Sequence, residues 1–252
     1  MKKKKPLVSV VTPCFNSSDY LKGCIKSILS QDYPNVEHVI HDSTSADGTL
    51  DILKHYNKKV RWVSKRDKGQ SDGLNRALQR AKGDIIIVLN ADDELLPHAC
   101  SWAVKQFKKY PNMAVIYGDV NIIDSHGKAI EKFHGPDPYN FEKIFCVEEV
   151  IPAQAAFIKR KAFEAVGFYA DTTQPTCPDY EMWVRIGLKF PMKHVPGFVT
   201  RYRRHTGSGS CQNSLVYELI RTKRNVIKRT IKNKSTPDSI LKLKRRAHAG
   251  VI

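Results

Sequence analysis

Gly83-Asp84-Ile85-Ile86-Ile87-Val88-Leu89-Asn90-Ala91-Asp92-Asp93 is the stretch that decides the fold class. Its apolar run, Ile85–Leu89, stands between polar residues with no polar side chain alternating inside it. A run that short and uniform is a strand buried on both faces, as in a parallel sheet covered by helices. The chain before it repeats the arrangement. Leu7–Val11 reads as a first strand and Asp19–Gln31 as a helix, with Leu21, Ile25, Ile28 and Leu29 on one face at helical spacing. Val36–Ile40 is a second strand, followed by a helix over Thr49–Tyr56 entered through Asp47-Gly48. Val60–Val63 is a third, and a helix over Ser71–Ala81 closes at Gly83. This alternation predicts an α/β fold with a mostly parallel sheet and helices on both faces. Ligands of such sheets bind beyond the carboxyl ends of the strands. The sequence places Thr12, Pro13, Phe15 and Asn16 there after the first strand, Asp42 after the second, and Asn90, Ala91, Asp92 and Asp93 after the fourth.

Beyond residue 110 the pattern changes. Met113–Tyr117 is strand-like, Asp124–Gly127 is a turn between extended pieces, and Pro136–Pro138 marks a loop. Ala155–Ile158 leads into a helix over Lys159–Val166, Pro178–Leu188 is amphipathic, and Val195–Tyr202 is a late strand. The expected organisation is a catalytic domain over residues 1–212, divided at 110/111, and a basic helical tail over 213–252.

A chain of 252 residues that is 41% hydrophobic can bury its core without disulfides. Its cysteines, Cys14, Cys24, Cys100, Cys146, Cys177 and Cys211, form no CxxC pair, which suggests reduced thiols and a cytoplasmic protein. No apolar run is long enough for a membrane span, and the one after Lys2–Lys5 is too short for a signal core. The net charge is +17, and residues 215–252 alone carry +9. Such a tail suits an anionic partner. No nucleic-acid motif accompanies it, so no specific nucleic acid is expected. Leu215, Leu219, Val226 and Ile227 lie near one helical face among Arg221, Arg224, Lys228 and Arg229. That pattern fits a helix lying on an anionic membrane surface, and equally a helix packed on the catalytic domain.

Several polar groups have two readings. Asp92 and Asp93 offer hard oxygen ligands for Mg²⁺ or Mn²⁺, or complement a helix N-terminus. Asp47 is a helix cap, whereas Asp42, at a strand end, can accept hydrogen bonds from a nucleoside. Lys65–Asp72 is a dense polar loop opening a helix. Asp179 and Glu181 begin a helix, as dipole-complementing acids or with one of them a general base. His205 follows Arg203-Arg204 and precedes Gly207; it is either structural or a phosphate-side group.

Taken together and in order, these segments resemble glycosyltransferase family 2, enzymes of the GT-A fold. Ser9–Asn16 is similar to the family's opening strand and nucleotide loop, and Val36–Asp42 through Asp47-Gly48-Thr49 to its second. Asp67–Asn75 resembles the loop with a further donor-contacting aspartate, Gly83–Asp93 the strand and DxD-type metal motif, and Asp179–Arg185 the acceptor-side helix led by the base. Asn90 stands where the first aspartate of DxD is usual, Pro178 where an acid often precedes the base, and Ser43-Thr44 where glycine or an acid is common.

The resemblance implies an inverting transfer from a nucleotide-sugar, taken as a UDP-sugar, to a hydroxyl of a glycan or lipid-linked glycan, with Mn²⁺ or Mg²⁺ as cofactor. It implies a Rossmann-like sheet, a cytoplasmic location, and association with the inner membrane face through the tail. Asp179 is then the base. Thr12, Pro13, Phe15, Asn16, Asp42, Gln70, Asp72, Asn90, Ala91 and Arg204 are donor-binding, and Asp92 and His205 are the metal residues.

Overall fold

The computed structural model describes residues 5–168, 178–207 and 216–250, and for 216–219 the backbone alone. Its centre is a nine-stranded sheet. β1 (Val8–Cys14), β2 (Val36–Asp42), β3 (Arg61–Ser64) and β4 (Ile85–Val88) alternate with α1 (Leu21–Leu29), α2 (Thr49–His55) and α3 (Gln70–Arg80). These four strands are parallel, in the order β3-β2-β1-β4. Val8, Val10 and Val11 and Ile85–Ile87 are buried, as a strand covered on both faces requires. Gly83 lies so close to β1 that an added Cβ would fall 2.6 Å from the Ser9 nitrogen. Any side chain there would separate β4 from β1.

The second half continues the sheet as β8-β6-β9-β5. β5 (Glu94–Leu95), α4 (Ala99–Lys109), β6 (Val115–Ile123), β7 (Ala129–Phe133), α5 (Phe141–Phe145), β8 (Ala156–Lys159), α6 (Arg160–Val166), α7 (Pro178–Gly187) and β9 (Met192–Arg203) follow in chain order. β8 is antiparallel to both β4 and β6, while β6 and β9 are parallel. The sheet is therefore mostly parallel with antiparallel members, and the architecture is the GT-A fold. β6 is longer than its strand signal suggested, and α4 carried almost none, because much of its buried face is the small residues Ala99, Cys100 and Ala103.

The tail forms α8 (Val216–Lys232), α9 (Asp238–Leu241) and α10 (Lys244–Ala249). Val226, Ile227, Ile240 and Ala247 are buried in one cluster with Phe145 and Cys146 at the end of α5 and Tyr180 and Val184 of α7. Of the two readings of its apolar face, packing on the domain is the one realised: Val226 and Ile227 are covered by protein and unavailable to lipid. Leu215 and the Leu219 side chain lie outside the described residues. No described helix is long and apolar enough to cross a membrane.

Ile227 is fully buried, so Ile227→Ala should cost about 2–5 kcal/mol in urea unfolding. An unchanged transition would mean that the tail does not dock.

Candidate active site

The carboxyl ends of β1 and β2 are laced together. Asn16 has φ 45°, a left-handed conformation that asparagine tolerates. Its amide donates to Ser45 Oγ (2.8 Å), and its Oδ1 accepts from the Ala46 amide (3.0 Å). Asp42 is fully buried beneath this loop, accepting from the Ser45 amide (3.1 Å), Ser45 Oγ (2.5 Å) and Ser64 Oγ (2.6 Å). Its carboxylate shapes the loop from inside and does not line its surface. Thr12 also faces inward, with its hydroxyl 2.9 Å from His38 Nε2. Burial pushes the His38 pKa down to about 3, so that contact is between neutral groups. Phe15, by contrast, presents a ring that is 63% exposed. Asp47, just before the Gly48 N-cap of α2, accepts from the Thr49 amide (3.1 Å) and from the Ser18 amide (3.0 Å). Burial opposes its ionisation, but these hydrogen bonds outweigh it and hold the carboxyl well below the usual range.

The loop before α3 is similarly self-contained. Asp67 lies 3.3 Å from His41 and accepts from the Gly69 amide (3.0 Å). Asp72 accepts from the Lys68 amide (3.0 Å) and pairs with Arg76 (3.0 Å). Gln70 reaches across to Asn90 Oδ1 at 3.4 Å, joining the α3 N-terminus to the turn after β4.

That turn separates two adjacent carboxylates by environment. The Asp93 amide donates to Asn90 O (3.2 Å), which tightens the turn and sends the Asp93 side chain into the interior, fully buried. Its Oδ1 accepts from the Arg203 amide (2.9 Å), while Oδ2 has no hydrogen-bond partner among the described residues. Burial first, then the charge of Asp92, push its pKa well above the usual carboxylate range. Asp92 instead keeps 26% of its side chain exposed and lies 3.1 Å from His205 Nε2.

The ladder between β5 and β9, Glu94 opposite Arg201 and Leu95 opposite Thr200, brings these distant residues together. Arg203 fixes the junction. Its Nε donates to Asp92 O (3.0 Å), Nη2 pairs with Glu94 (2.9 Å), and the guanidinium lies 4.8 Å from the centre of the Tyr20 ring. Tyr20 in turn packs on the His205 ring. Arg204, the arginine named from the sequence, points elsewhere: it pairs with Glu131 on β7 at 3.2 Å. Arg203 and Tyr20 were not among the sequence-derived site residues, and Asp93, offered from the sequence as an oxygen ligand beside Asp92, is turned into the interior instead.

Asp92 and His205 fit one edge of a divalent-cation site. Octahedral Mg²⁺ with bonds of about 2.1 Å places adjacent donor atoms about 3 Å apart, close to the 3.1 Å between Asp92 Oδ2 and His205 Nε2. No group of three or more protein ligands is present among the described residues. An ion held here would take its other donors from substrate phosphate and water, as Mg²⁺ commonly does.

Asp179 lies in the first turn of α7, and its Oδ1 accepts from the Tyr180 amide (3.0 Å). Burial raises its pKa above the ordinary aspartate value and outweighs the lowering by hydrogen bonds and by Lys223. Glu181 is engaged by Arg185 (3.4 Å), which also donates to the carbonyls of Val166, Gly167 and Phe168 and so ties α7 to α6. Trp183, one helical turn from Asp179, has a buried indole N–H without a partner among the described residues.

The sequence model of Glycosyl transferase family 2 matches residues 9–167, and the chain belongs to that family. The Escherichia coli chondroitin synthase is 30% identical over 196 residues, 77% of this chain and 28% of that one. The chain spans about a third of the length of the curated relatives it matches. Among solved structures, S. aureus TarS in complex with UDP-GlcNAc aligns with a TM-score of 0.73 at 15% identity, covering 97% of this chain and 71% of that one. The mannosyltransferase PcManGT from Pyrobaculum calidifontis, in complex with GDP-Man and Mn²⁺, aligns at 0.70 and 18% identity, covering 98% and 70%. Asp179 and His205 lie beyond the stretch matched by the family model.

Arg203 is buried, and its guanidinium pairs with Glu94 and donates to the Asp92 carbonyl, so Arg203→Met should destabilise the fold by about 3 kcal/mol or more in urea unfolding. Arg204→Met breaks an exposed pair and should stay within about 1 kcal/mol of the parent. Equal effects would remove Arg203 from its place at the junction.

Proposed function

We propose that this chain is an inverting glycosyltransferase that moves a sugar from a UDP-sugar to an acceptor hydroxyl in polysaccharide or glycoconjugate synthesis. The observation that carries this is the pair formed by Asp92 and His205 at the carboxyl edge of the sheet, where α/β sheets bind ligands. Family membership and the chondroitin synthase relative support the reaction class. The UDP-GlcNAc complex of a similarly folded protein supports a uridine donor, and the Mn²⁺ complex of another supports a divalent ion.

Phe15 offers the base a stacking face, and Asn16 shapes the loop that carries it together with Pro13. Asp42 and Asp72 act through the backbone they hold. Gln70, Asn90 and Ala91 form the wall between α3 and the metal turn. Asp92 and His205 would hold Mn²⁺ or Mg²⁺, which as a Lewis acid offsets the charge developing on the departing diphosphate. Arg203, Tyr20 and Asp93 keep that pair in place.

The acceptor oxygen attacks the anomeric carbon as the bond to the diphosphate oxygen breaks, which inverts the configuration. Its proton passes to Asp179, the base. The raised pKa of Asp179 makes it a stronger base than an exposed aspartate.

Calorimetry with UDP should show binding strengthened by Mn²⁺ in the parent protein, and Asp92→Ala should abolish that strengthening. UDP affinity equal in both proteins at every Mn²⁺ concentration sinks the assignment. Asp42→Ala should weaken UDP binding and leave the response to Mn²⁺ in place.

Asp179→Asn should keep donor binding and lower turnover by roughly 10²–10⁴-fold. In the parent, activity should fall as pH drops through the raised Asp179 pKa, above the ordinary aspartate range. A variant that keeps more than about a tenth of parental turnover would mean that another residue is the base.

A further inference from the structure

Four strands meet at the edge of the sheet opposite Asp92. β4 begins there at Ile85, β6 at Val115 and β9 at Met192, and β8 ends there at Lys159. A cavity of about 740 Å³ opens at this edge, a volume suited to a small organic ligand. Five cations line it, Lys5, Lys108, Lys159, Arg160 and Lys161, against two carboxylates, Asp84 and Glu164. Val104 and Phe107 of α4 add an apolar wall.

Two of the cations are fixed in place. Arg160 donates to the carbonyls of Gly83 (2.7 Å) and Ala81 (2.7 Å). Lys159 is half-buried, and its ammonium donates to Pro111 O and lies 5.2 Å from the centre of the Phe107 ring. Lys5 is brought to the rim by its backbone: its carbonyl accepts from Asn35 Nδ2 (2.9 Å), and the Pro6 carbonyl from the Tyr33 hydroxyl (2.6 Å). Asp84 is engaged by the Leu7 amide (2.9 Å). No ion pair joins Lys5, Lys108, Lys159 or Lys161 to an acid among the described residues. Burial, and after it the charge of Lys161, push the Lys159 pKa down. The Lys161 contribution is repulsion between two ammonium groups held near each other. Lys108 suits the C-terminus of α4, where the helix dipole favours a cation. Lys161 stands in the first turn of α6, where the dipole disfavours one.

We propose that this cavity binds an organic phosphate, with the phosphate beside Lys159 and Lys161 and its organic body against Val104 and Phe107. A phosphate there offsets the repulsion between the two ammonium groups and accepts charge-assisted hydrogen bonds from them. The apolar wall favours an ester over the bare ion. Two sources present this chemistry, a soluble phosphate ester and the headgroup of an anionic phospholipid. The cavity is separate from the candidate active site, because β4 runs from Ile85 at one to Val88 on the way to the other. The proposal therefore does not rest on the donor or acceptor assignments.

Glycerol 3-phosphate and glycerol, titrated separately and followed by amide NMR, test the soluble source. The phosphate should shift the amides of residues 84–85, 104–108 and 159–161, and glycerol should not. Flotation with phosphatidylglycerol and with phosphatidylcholine vesicles tests the lipid source, and only the anionic vesicles should retain the protein. Whichever arm responds identifies the source. Lys159→Met/Lys161→Gln should weaken that response by at least about tenfold, the worth of a charge-assisted hydrogen bond. Lys161→Gln alone changes an exposed side chain and should weaken it severalfold, so the outcome does not depend on the double variant folding. Lys228→Gln/Lys232→Gln removes the same charge from the exposed face of α8 and should leave the response at the parental level. The proposal is overturned if neither arm responds, if the shifted amides lie elsewhere, or if the response survives in both cavity variants. It is also overturned if removing charge from α8 weakens the response as much as removing it from the cavity.

Discussion

The guanidinium of Arg203 is the contact on which the site depends. It belongs to β9, yet it donates to the backbone of Asp92, pairs with Glu94 and lies against Tyr20, while the Arg203 amide donates to one oxygen of Asp93. A loop after β4 and a strand more than a hundred residues later become one rigid unit. Without this contact, part-buried Glu94 would keep only the exposed Arg201 beside it, in an environment that penalises a poorly paired charge. With it, Asp92 and His205 face each other over a short gap that needs no further side-chain movement.

In the proposed reaction the two halves of the molecule divide the chemistry. The parallel half supplies strand ends whose loops are locked by their own hydroxyls and carboxylates, so the donor surface is largely preorganised, which lowers the ordering cost of binding. The acceptor side is built differently. Asp179 stands on a helix gripped by Arg185 from below and by the C-terminal helices from the side. If Asp179 is the base, an acceptor meets a wall assembled from segments far apart in the chain.

The parallel half was legible in the sequence because Leu7–Val11, Val36–Ile40 and Ile85–Leu89 are short apolar runs bounded by turn residues, a pattern with few alternatives. The strand-end rule then named Asp92 correctly as lying at the carboxyl edge. It did not tell which side chains turn inward: Thr12 and Asp42 sit at strand ends, yet both are buried. Neighbours such as Arg203 and Arg204 were also indistinguishable. Their faces follow from the pairing of β9 with β6, which contains register irregularities that break simple alternation. β5 has only two residues, too few for any periodicity, although it is the ladder that joins the two parts of the site. The tail's helical pattern was visible, but an amphipathic face looks the same whether protein or lipid will cover it.

The central claim is that Asp92 and His205 together hold the ion that receives the diphosphate. Pulsed electron paramagnetic resonance of Mn²⁺ bound with UDP tests it most directly, because a directly coordinated imidazole gives a nitrogen coupling on the manganese signal. The account expects that coupling in the parent protein and its loss in His205→Gln with manganese still bound. Manganese–UDP bound without a nitrogen coupling, or a coupling that persists in His205→Gln, would contradict it.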